Sequence, residues 1–263
     1  MARSLAADFL EASQRDSILA AFGMVADPWQ EALIMSKHDM LVCCARQVGK
    51  STAVAAIAAH QFCFDVGSLT AIVAPSERQA SELLRKVRAM LRAAVPQMVY
   101  VGDGKTGIEN TMGSRVMALP GTGDSTRGLS PSLLVFEEAA HQTDEVFAAL
   151  EPSVAVSKGR TVMISTPAGK VGHFYDVWAD TEDRLARGET PDYELIRADY
   201  TQCSRYKPGF IEAKRRTMTE YAFAQEYLAQ FTAADQAVFN PFSIDRAFAE
   251  TGAPVAFIEG GIE

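Results

Sequence analysis

The sequence has few of the features that mark secreted, membrane-bound or zinc-binding proteins. Its 263 residues include four cysteines and four histidines, with no Cys-x-x-Cys pair and no ligand spacing typical of zinc. No apolar run approaches the roughly 18 residues of a membrane helix, and the N-terminus lacks a signal-peptide pattern. We therefore predict a soluble intracellular protein with no membrane contact. The cysteines predicted to be buried reduced thiols are Cys43, Cys44, Cys63 and Cys203.

Positive charge is also scarce. The chain has 25 Lys and Arg residues against 33 Asp and Glu residues, which gives a formal net charge of −8. Proteins that hold nucleic acid by static charge neutralisation are usually basic. The composition therefore argues against a simple DNA-binding module, and any DNA contact would be local, transient or shared among subunits. The length suits one large α/β domain, or a core with a small subdomain.

Apolar runs of strand length alternate with helical patterns along the chain. Strands are predicted at 39–45, 69–74, 133–136, 160–165 and 194–198, with short strands around an Asn-to-Ser turn in 109–119. Helices are predicted at 1–22, after Asp27, at 51–64, at 77–91 and from Tyr206 to about Phe231. This alternation indicates a largely parallel sheet with helices on both faces.

A phosphate-binding motif follows the first predicted strand. Gly49-Lys50-Ser51 matches the end of the P-loop pattern G-x-x-x-x-G-K-[ST], while Cys44 stands in place of the first glycine. In such loops backbone N–H groups face the phosphates, the lysine reaches the β and γ phosphates, and a hydroxyl coordinates Mg²⁺. The alternative is a chance G-K-S turn. The residues predicted to bind ATP phosphates are Arg46, Gln47, Val48, Gly49, Lys50, Ser51 and Thr52.

Polar residues also follow two later apolar strands, at the edge of the sheet where ligands bind in open α/β folds. Glu137 is predicted to hold Mg²⁺, in a position more often occupied by Asp, and Glu138 to act as general base for the attacking water. The alternative is a charged pair that begins a helix, where acids are favoured. Ser165 and Thr166 are predicted to hydrogen-bond the γ-phosphate or the water and to report hydrolysis to the rest of the protein.

Together these residues resemble the ATPase domain of the large terminase subunit, the motor that packages DNA into tailed-phage heads. The segments that carry the resemblance, in order, are Pro28-Trp29-Gln30, Arg46-Gln47 with Gly49-Lys50-Ser51, Ala74-Pro75-Ser76-Glu77-Arg78-Gln79-Ala80, Thr126-Arg127-Gly128, Glu137-Glu138, Ser165-Thr166-Pro167 and Gln225-Glu226-Tyr227 with Phe231. The implied fold is an α/β P-loop NTPase of the ASCE, RecA/helicase-like type. Its mainly parallel sheet would carry helices on both faces and a small helical lid or linker region.

The resemblance also implies a domain organisation. The ATPase domain would span 1–235, with an N-terminal helical segment at 1–38. Residues 236–263 would form a linker or mark a chain boundary. Large terminases normally append a nuclease domain, for which we see no room in this sequence, so no DNA cleavage is expected.

Four side chains have implied roles that the sequence leaves open. Gln30 would pair with the amine and N7 of adenine, while Trp29 would pack on the ring or serve as a core anchor. Arg127 would be a trans-acting arginine finger, with a loop-anchoring ion pair as the alternative. Arg46 would contact the γ-phosphate in cis or pair with Glu138 to hold the base.

The implied function is an ATP-hydrolysing, Mg²⁺-dependent motor that packages double-stranded viral DNA into procapsids in the host cytoplasm. Its partners would be double-stranded DNA, other copies in a homo-oligomeric ring (a pentamer by resemblance), the portal protein and the small terminase subunit. The alternatives are a helicase-like translocase outside packaging and a nucleotide-gated assembly module without turnover. Four basic residues at helical spacing would track DNA phosphates or form a solvated face: Arg85, Lys86, Arg88 and Arg92.

Overall fold

A computed structural model describes residues 19–20, 24–121 and 128–233, and it confirms the predicted mainly parallel α/β architecture. The strands are β1 Met40–Cys44, β2 Leu69–Ala74, β3 Tyr100–Asp103, β4 Gly107–Asn110, β5 Arg115–Pro120, β6 Leu133–Glu137, β7 Arg160–Ser165 and β8 Glu194–Ala198. They form one sheet in the order β3-β4-β5-β2-β6-β7-β1-β8. The strands from β5 to β8 in that order are parallel, and β4 runs antiparallel to β3 and β5.

Helices cover both faces of this sheet. They are α1 Pro28–Met35, α2 Lys50–Phe64, α3 Glu77–Ala94, α4 Asp144–Ser157, α5 His173–Ala186, α6 Phe210–Thr217 and α7 Glu220–Leu228. Adjacent residues of a strand point to opposite faces, so Cys44 packs in the core with α1, α2 and α3 while Cys43 packs with α4 and α5. Apart from Thr70 and Glu137, the short central strands are apolar because both faces of the sheet are buried. No described helix is long and apolar enough to cross a membrane.

A small helical unit lies beyond β8. It has its own apolar cluster, in which Ile211 of α6 packs with Phe223 and Tyr227 of α7. The prediction of one helix from Tyr206 to Phe231 is wrong, because this segment forms two separate helices, α6 and α7. Thr219 causes the break: its hydroxyl accepts the N–H of Ala222 and caps a new helix.

Other predicted elements are confirmed with small changes at their ends. In the turn between β4 and β5, the Asn110 side-chain oxygen accepts the N–H groups of Met112 and Ser114, both at 3.0 Å. Strand β3 and helices α4 and α5 were not predicted individually. Of the predicted helix 1–22, only residues 19–20 are described, and they are helical. The predicted linker 236–263 lies outside the described residues. All four cysteines are free, with three buried and Cys63 half-buried.

Candidate nucleotide-binding site

The loop between β1 and α2 leaves the carboxyl end of a buried strand and turns into the first residue of a helix. The turn needs left-handed backbone at Gln47 and at Gly49, where φ is 59° and 95°. Glycine adopts such angles without steric cost. The carbonyl of Gly49 then accepts the N–H groups of Thr52 and Ala53 and begins α2. The N-terminus of this helix therefore faces the loop, as a phosphate site requires.

Lys50 is 7% exposed and joins two of the predicted strand ends. Its Nζ donates to Thr166 Oγ1 at 2.6 Å, just beyond the end of β7. The same ammonium lies 3.6 Å from Glu138 Oε1, just beyond the end of β6. The lysine is therefore held at a fixed point between a hydroxyl and a carboxylate.

Ser51 and Glu137 form a second contact between the loop and β6. The Ser51 hydroxyl donates to Glu137 Oε1 at 2.8 Å. Burial, with the neighbouring Glu138 charge as the second cause, raises the pKa of Glu137, and the Ser51 hydrogen bond opposes this rise. A hydroxyl and a carboxylate in contact are the oxygen ligands that Mg²⁺ accepts in nucleotide sites. Among the described residues no cluster of three or more His, Cys, Asp or Glu side chains suits another metal.

Glu138 points away from Glu137 because its backbone leaves the extended strand conformation. Its φ of 51° and ψ of 48° are left-handed, which costs a non-glycine residue about 1–2 kcal/mol. The turned side chain faces Lys50 through Oε1, and its Oε2 lies 3.3 Å from the Ser165 hydroxyl, which is shared with the Thr166 carbonyl at 2.8 Å. A strained residue held by two polar partners is typical of a functional position.

The predicted adenine-binding residues lie on the other side of the loop, and both are buried. Trp29 is 3% exposed and belongs to the core with α2 and α3, the arrangement expected of a core anchor. Gln30 is 1% exposed; its Oε1 accepts the N–H of Asp27 and its Nε2 donates to the carbonyl of Gly49 at 3.3 Å. Their adenine-binding roles stay predictions.

A pair of residues that the sequence did not reveal lies on the same side of the loop, and one of them contacts it. Arg205, beyond β8, donates through Nη2 to the Val48 carbonyl at 2.5 Å and lies 2.8 Å from Asp27 Oδ2. Asp27 is 4% exposed and also accepts the Ser204 hydroxyl at 2.9 Å. Asp27 was recognisable as an N-cap before Pro28, but no local pattern connects it with residues 177 positions away.

Arg46 lies against the helical unit rather than against the predicted carboxylate. Its side-chain Nε is 3.0 Å from Glu226 Oε2. Its backbone N–H donates to the Glu226 carbonyl at 2.8 Å, and its backbone carbonyl accepts the Tyr206 hydroxyl. The suggested pairing with Glu138 is therefore not the arrangement in the structure. The cis γ-phosphate contact of Arg46 stays a prediction. Arg127, the predicted arginine finger, lies outside the described residues.

The basic face of α3 is largely ion-paired. Arg85 pairs with Glu82 at 2.6 Å, and Arg88 pairs with Asp103 at 2.8 Å. Arg92 lies 3.9 Å from the same Asp103. These pairs are what a solvated face would show. Arg85 and Lys86 also line a cavity of about 900 Å³ together with Ser51, Glu137 and Glu138.

Comparison with known proteins agrees with this fold. Residues 41–246 match the family model described as terminase large subunit, T4likevirus-type, N-terminal. The terminase large subunit of Escherichia phage T5 is 27% identical over 236 residues, covering 86% of this chain and 52% of that protein. The chain therefore spans about half the length of this curated relative.

Two solved structures share the fold. The large terminase ATPase domain of Thermus phage P74-26 has a TM-score of 0.68 at 22% identity, covering 81% of this chain and 97% of that chain. The large terminase of a thermophilic bacteriophage, in complex with ATP-gamma-S, has a TM-score of 0.59 at 11% identity, covering 78% of this chain and 53% of that one.

Proposed function

Because this chain belongs to the T4likevirus-type terminase large subunit family, we propose that it is an ATP-hydrolysing motor that drives double-stranded viral DNA into a procapsid. The observation that carries the proposal is the convergence of three strand ends on one ammonium. Lys50 after β1 contacts Thr166 after β7 and faces Glu138 after β6. A related large terminase solved with ATP-gamma-S supports ATP as the nucleotide.

The proposed reaction is in-line attack of water on the γ-phosphorus, which breaks the bond to the leaving ADP oxygen and gives ADP and phosphate. Lys50 would stabilise the charge on the phosphate oxygens, and its contact with Thr166 fixes the ammonium before the reaction begins. Glu138 would accept a proton from the water. The Ser165 hydroxyl and the Lys50 charge orient this carboxylate.

Mg²⁺ fits the contact between Ser51 and Glu137. Both groups offer oxygen atoms, and Mg²⁺ in nucleotide sites uses one or two protein oxygens together with phosphates and water. Ser51 and Glu137 would hold the ion, and its positive charge would offset the negative charge that develops on the phosphate. Glutamate in place of the more frequent aspartate would retune the affinity rather than abolish it.

Coupling to movement would use two direct contacts with the site. Ser165 and Thr166 touch Glu138 and Lys50 and lie shortly before α5, so a change at the γ-phosphate would reach that helix. Arg46 connects the loop with Glu226 of α7.

The net charge of −8 favours DNA contacts shared among subunits of a ring, with the portal protein and small terminase subunit as further partners. Arg127 would act on a neighbour's nucleotide.

Replacement of the proposed base tests this function. Glu138→Gln should lower steady-state phosphate release by about 10²- to 10⁴-fold while the affinity for a fluorescent ATP analogue is kept. Glu145→Gln, at an exposed glutamate of α4, is the matched control and should change neither value. ATP binding by the wild-type chain without any turnover would point to an assembly module instead.

Packaging needs a separate assay. In a mixture with procapsids, portal and small subunit, the wild-type protein should protect DNA from added nuclease, and Glu138→Gln should not. Unwinding of a forked duplex, with no protection of DNA by procapsids, would favour a helicase-like translocase.

A further inference from the structure

Both polar atoms of the buried Gln30 side chain hold neighbouring backbone. Its carbonyl oxygen accepts the N–H of Asp27 at 2.9 Å, and its amide nitrogen donates to the carbonyl of Gly49 at 3.3 Å. With 1% of its surface exposed, it offers no open edge to a ligand. Each of these two atoms keeps one further hydrogen-bonding position, but both lie inside the protein, so adenine could reach this amide only if the packing around it opened.

Arg205 holds the same side of the loop, beside Gln30. Its guanidinium reaches the Val48 carbonyl at 2.5 Å and Asp27 at 2.8 Å, so it joins the loop to the N-cap of α1. Asp27 therefore contacts both partners of the loop, Gln30 through its N–H and Arg205 through its carboxylate. Ser204 fixes the other carboxylate oxygen at 2.9 Å.

Gly49 is the point on which these side chains converge. A Cβ atom added there would lie 2.7 Å from Gln30 Nε2 and 2.9 Å from Arg205 Nη2. Both distances are shorter than van der Waals contact allows. The two polar side chains therefore fill the space beside the loop that a larger residue would need.

We propose that Asp27, Gln30 and Arg205 form a clasp that positions the phosphate loop, and that Gln30 does not read the base. This inference rests on the proposed function, because it concerns how the same loop holds ATP. The clasp acts through backbone carbonyls at positions 48 and 49, next to the residues that bind phosphates. Its contribution therefore falls on the triphosphate part of the ligand and is the same for any base.

Inorganic tripolyphosphate, which has no base, separates the two roles. The measurement is the affinity of the full chain for ATP, for GTP and for tripolyphosphate, by displacement of a fluorescent nucleotide analogue with Mg²⁺ present. If the clasp positions the loop, Gln30→Ala should weaken all three ligands by a similar factor of about tenfold, as expected for one lost hydrogen bond. The ratio of ATP to tripolyphosphate affinity should stay within about twofold of wild type.

Arg205→Ala provides a second test without a buried cavity, since 45% of this side chain is exposed. We expect it to weaken the three ligands in parallel and Arg205→Lys to restore part of the loss, because lysine keeps the charge opposite Asp27. Lys207→Ala, at an exposed cation two residues away, is the matched control and should leave all affinities unchanged. Melting temperatures of every variant identify any that fail to fold.

Each outcome decides the inference. A Gln30→Ala chain that loses ATP affinity but keeps tripolyphosphate affinity would overturn the clasp and assign adenine recognition to Gln30. Unchanged affinities in Arg205→Ala would also overturn the clasp, while ATP binding by the wild type leaves the proposed function intact. A wild-type chain that binds neither ATP nor tripolyphosphate would instead contradict the proposed function itself.

Discussion

The two sides of the phosphate loop are built by different means. On the side proposed for hydrolysis, which we call the side of hydrolysis, Glu138 and Thr166 directly follow two neighbouring parallel strands, and Lys50 begins the helix after a third. In the sheet register Glu137 lies beside Ile164, one residue before Ser165. On the side of the clasp, the residues come from segments outside the sheet, and Gln30 and Arg205 reach the loop through side-chain contacts. The first side depends on the core of the fold, and the second depends on a few polar contacts.

Among the variants that compare the two sides, Gly49→Ala should produce the largest loss of ATP affinity, because Gly49 belongs to both sides. An alanine would be strained by about 1–2 kcal/mol at a φ of 95° and would press on Gln30 and Arg205. Together with about 1 kcal/mol from a lost hydrogen bond, this predicts that ATP affinity falls by about a hundredfold. Equilibrium binding of a fluorescent ATP analogue measures it.

Gly67→Ala is the matched control for that variant. Gly67 has a φ of 73°, but an added Cβ would meet nothing within 4 Å. Its backbone strain should lower the melting temperature without changing ATP affinity. An equal loss of affinity in both variants would mean that general destabilisation, and not contact with the clasp, weakens binding.

Thr166→Val tests the side of hydrolysis alone. Valine keeps the shape but cannot accept the 2.6 Å hydrogen bond from Lys50, a bond to a charged group worth about 1.5–3 kcal/mol. We expect kcat for ATP hydrolysis to fall by roughly ten- to hundredfold while tripolyphosphate affinity changes little. Thr161→Val, at a buried threonine near the start of β7, is the control. A loss of tripolyphosphate affinity as large as that of the clasp variants would remove the distinction between the two sides.

The side of hydrolysis was predictable because each of its residues follows an apolar strand. Parallel strands end at one edge of a sheet, so the sequence placed Lys50, Glu138 and Thr166 at the same ligand-binding edge. What the sequence did not reveal is the left-handed turn at Glu138, which aims its carboxylate at Lys50.

The clasp was only half predictable. Gln30 was predicted as a site residue, and Asp27 is a residue type that is favoured at an N-cap. Neither residue indicates in the sequence that Arg205 lies beside it. Arg205 returns to the loop from beyond the last strand, and its position depends on how the α6–α7 unit packs. That packing was also misjudged in the single helix predicted to Phe231, since the cap at Thr219 was overlooked.

Glu226→Gln tests whether the contact between the helical unit and the loop affects ATP binding. The Arg46 side chain is 67% exposed, so its pair with Glu226 is worth less than about 1 kcal/mol and the melting temperature should fall by no more than about 2–4 °C. A freed Arg46 adds positive charge beside the loop, and KM for ATP should decrease, by less than about fivefold. Glu220→Gln, at the start of the same helix, should leave KM unchanged. An unchanged KM in Glu226→Gln would confine this contact to a structural role.

The smallest expected effect lies farther from the loop, at the start of α5. His173 stacks on Phe147 at 4.3 Å, and its hydrogen bond to Glu151 raises its pKa, with Asp144 and Asp176 adding to the rise. A raised pKa means that the folded protein binds more protons, so this stabilisation is present below pH 6.5 and is lost as pH rises through the folded-state value. Glu151→Gln should therefore lower the melting temperature below pH 6.5, by less than about 4 °C, and the difference should shrink at higher pH. Melting curves at pH 5.5, 6.5 and 8 measure this difference if the melting temperature is determined to about 1 °C. Because the pair lies outside the sheet edge, ATP turnover at pH 8 should not change; a loss of turnover there would extend the side of hydrolysis to the start of α5.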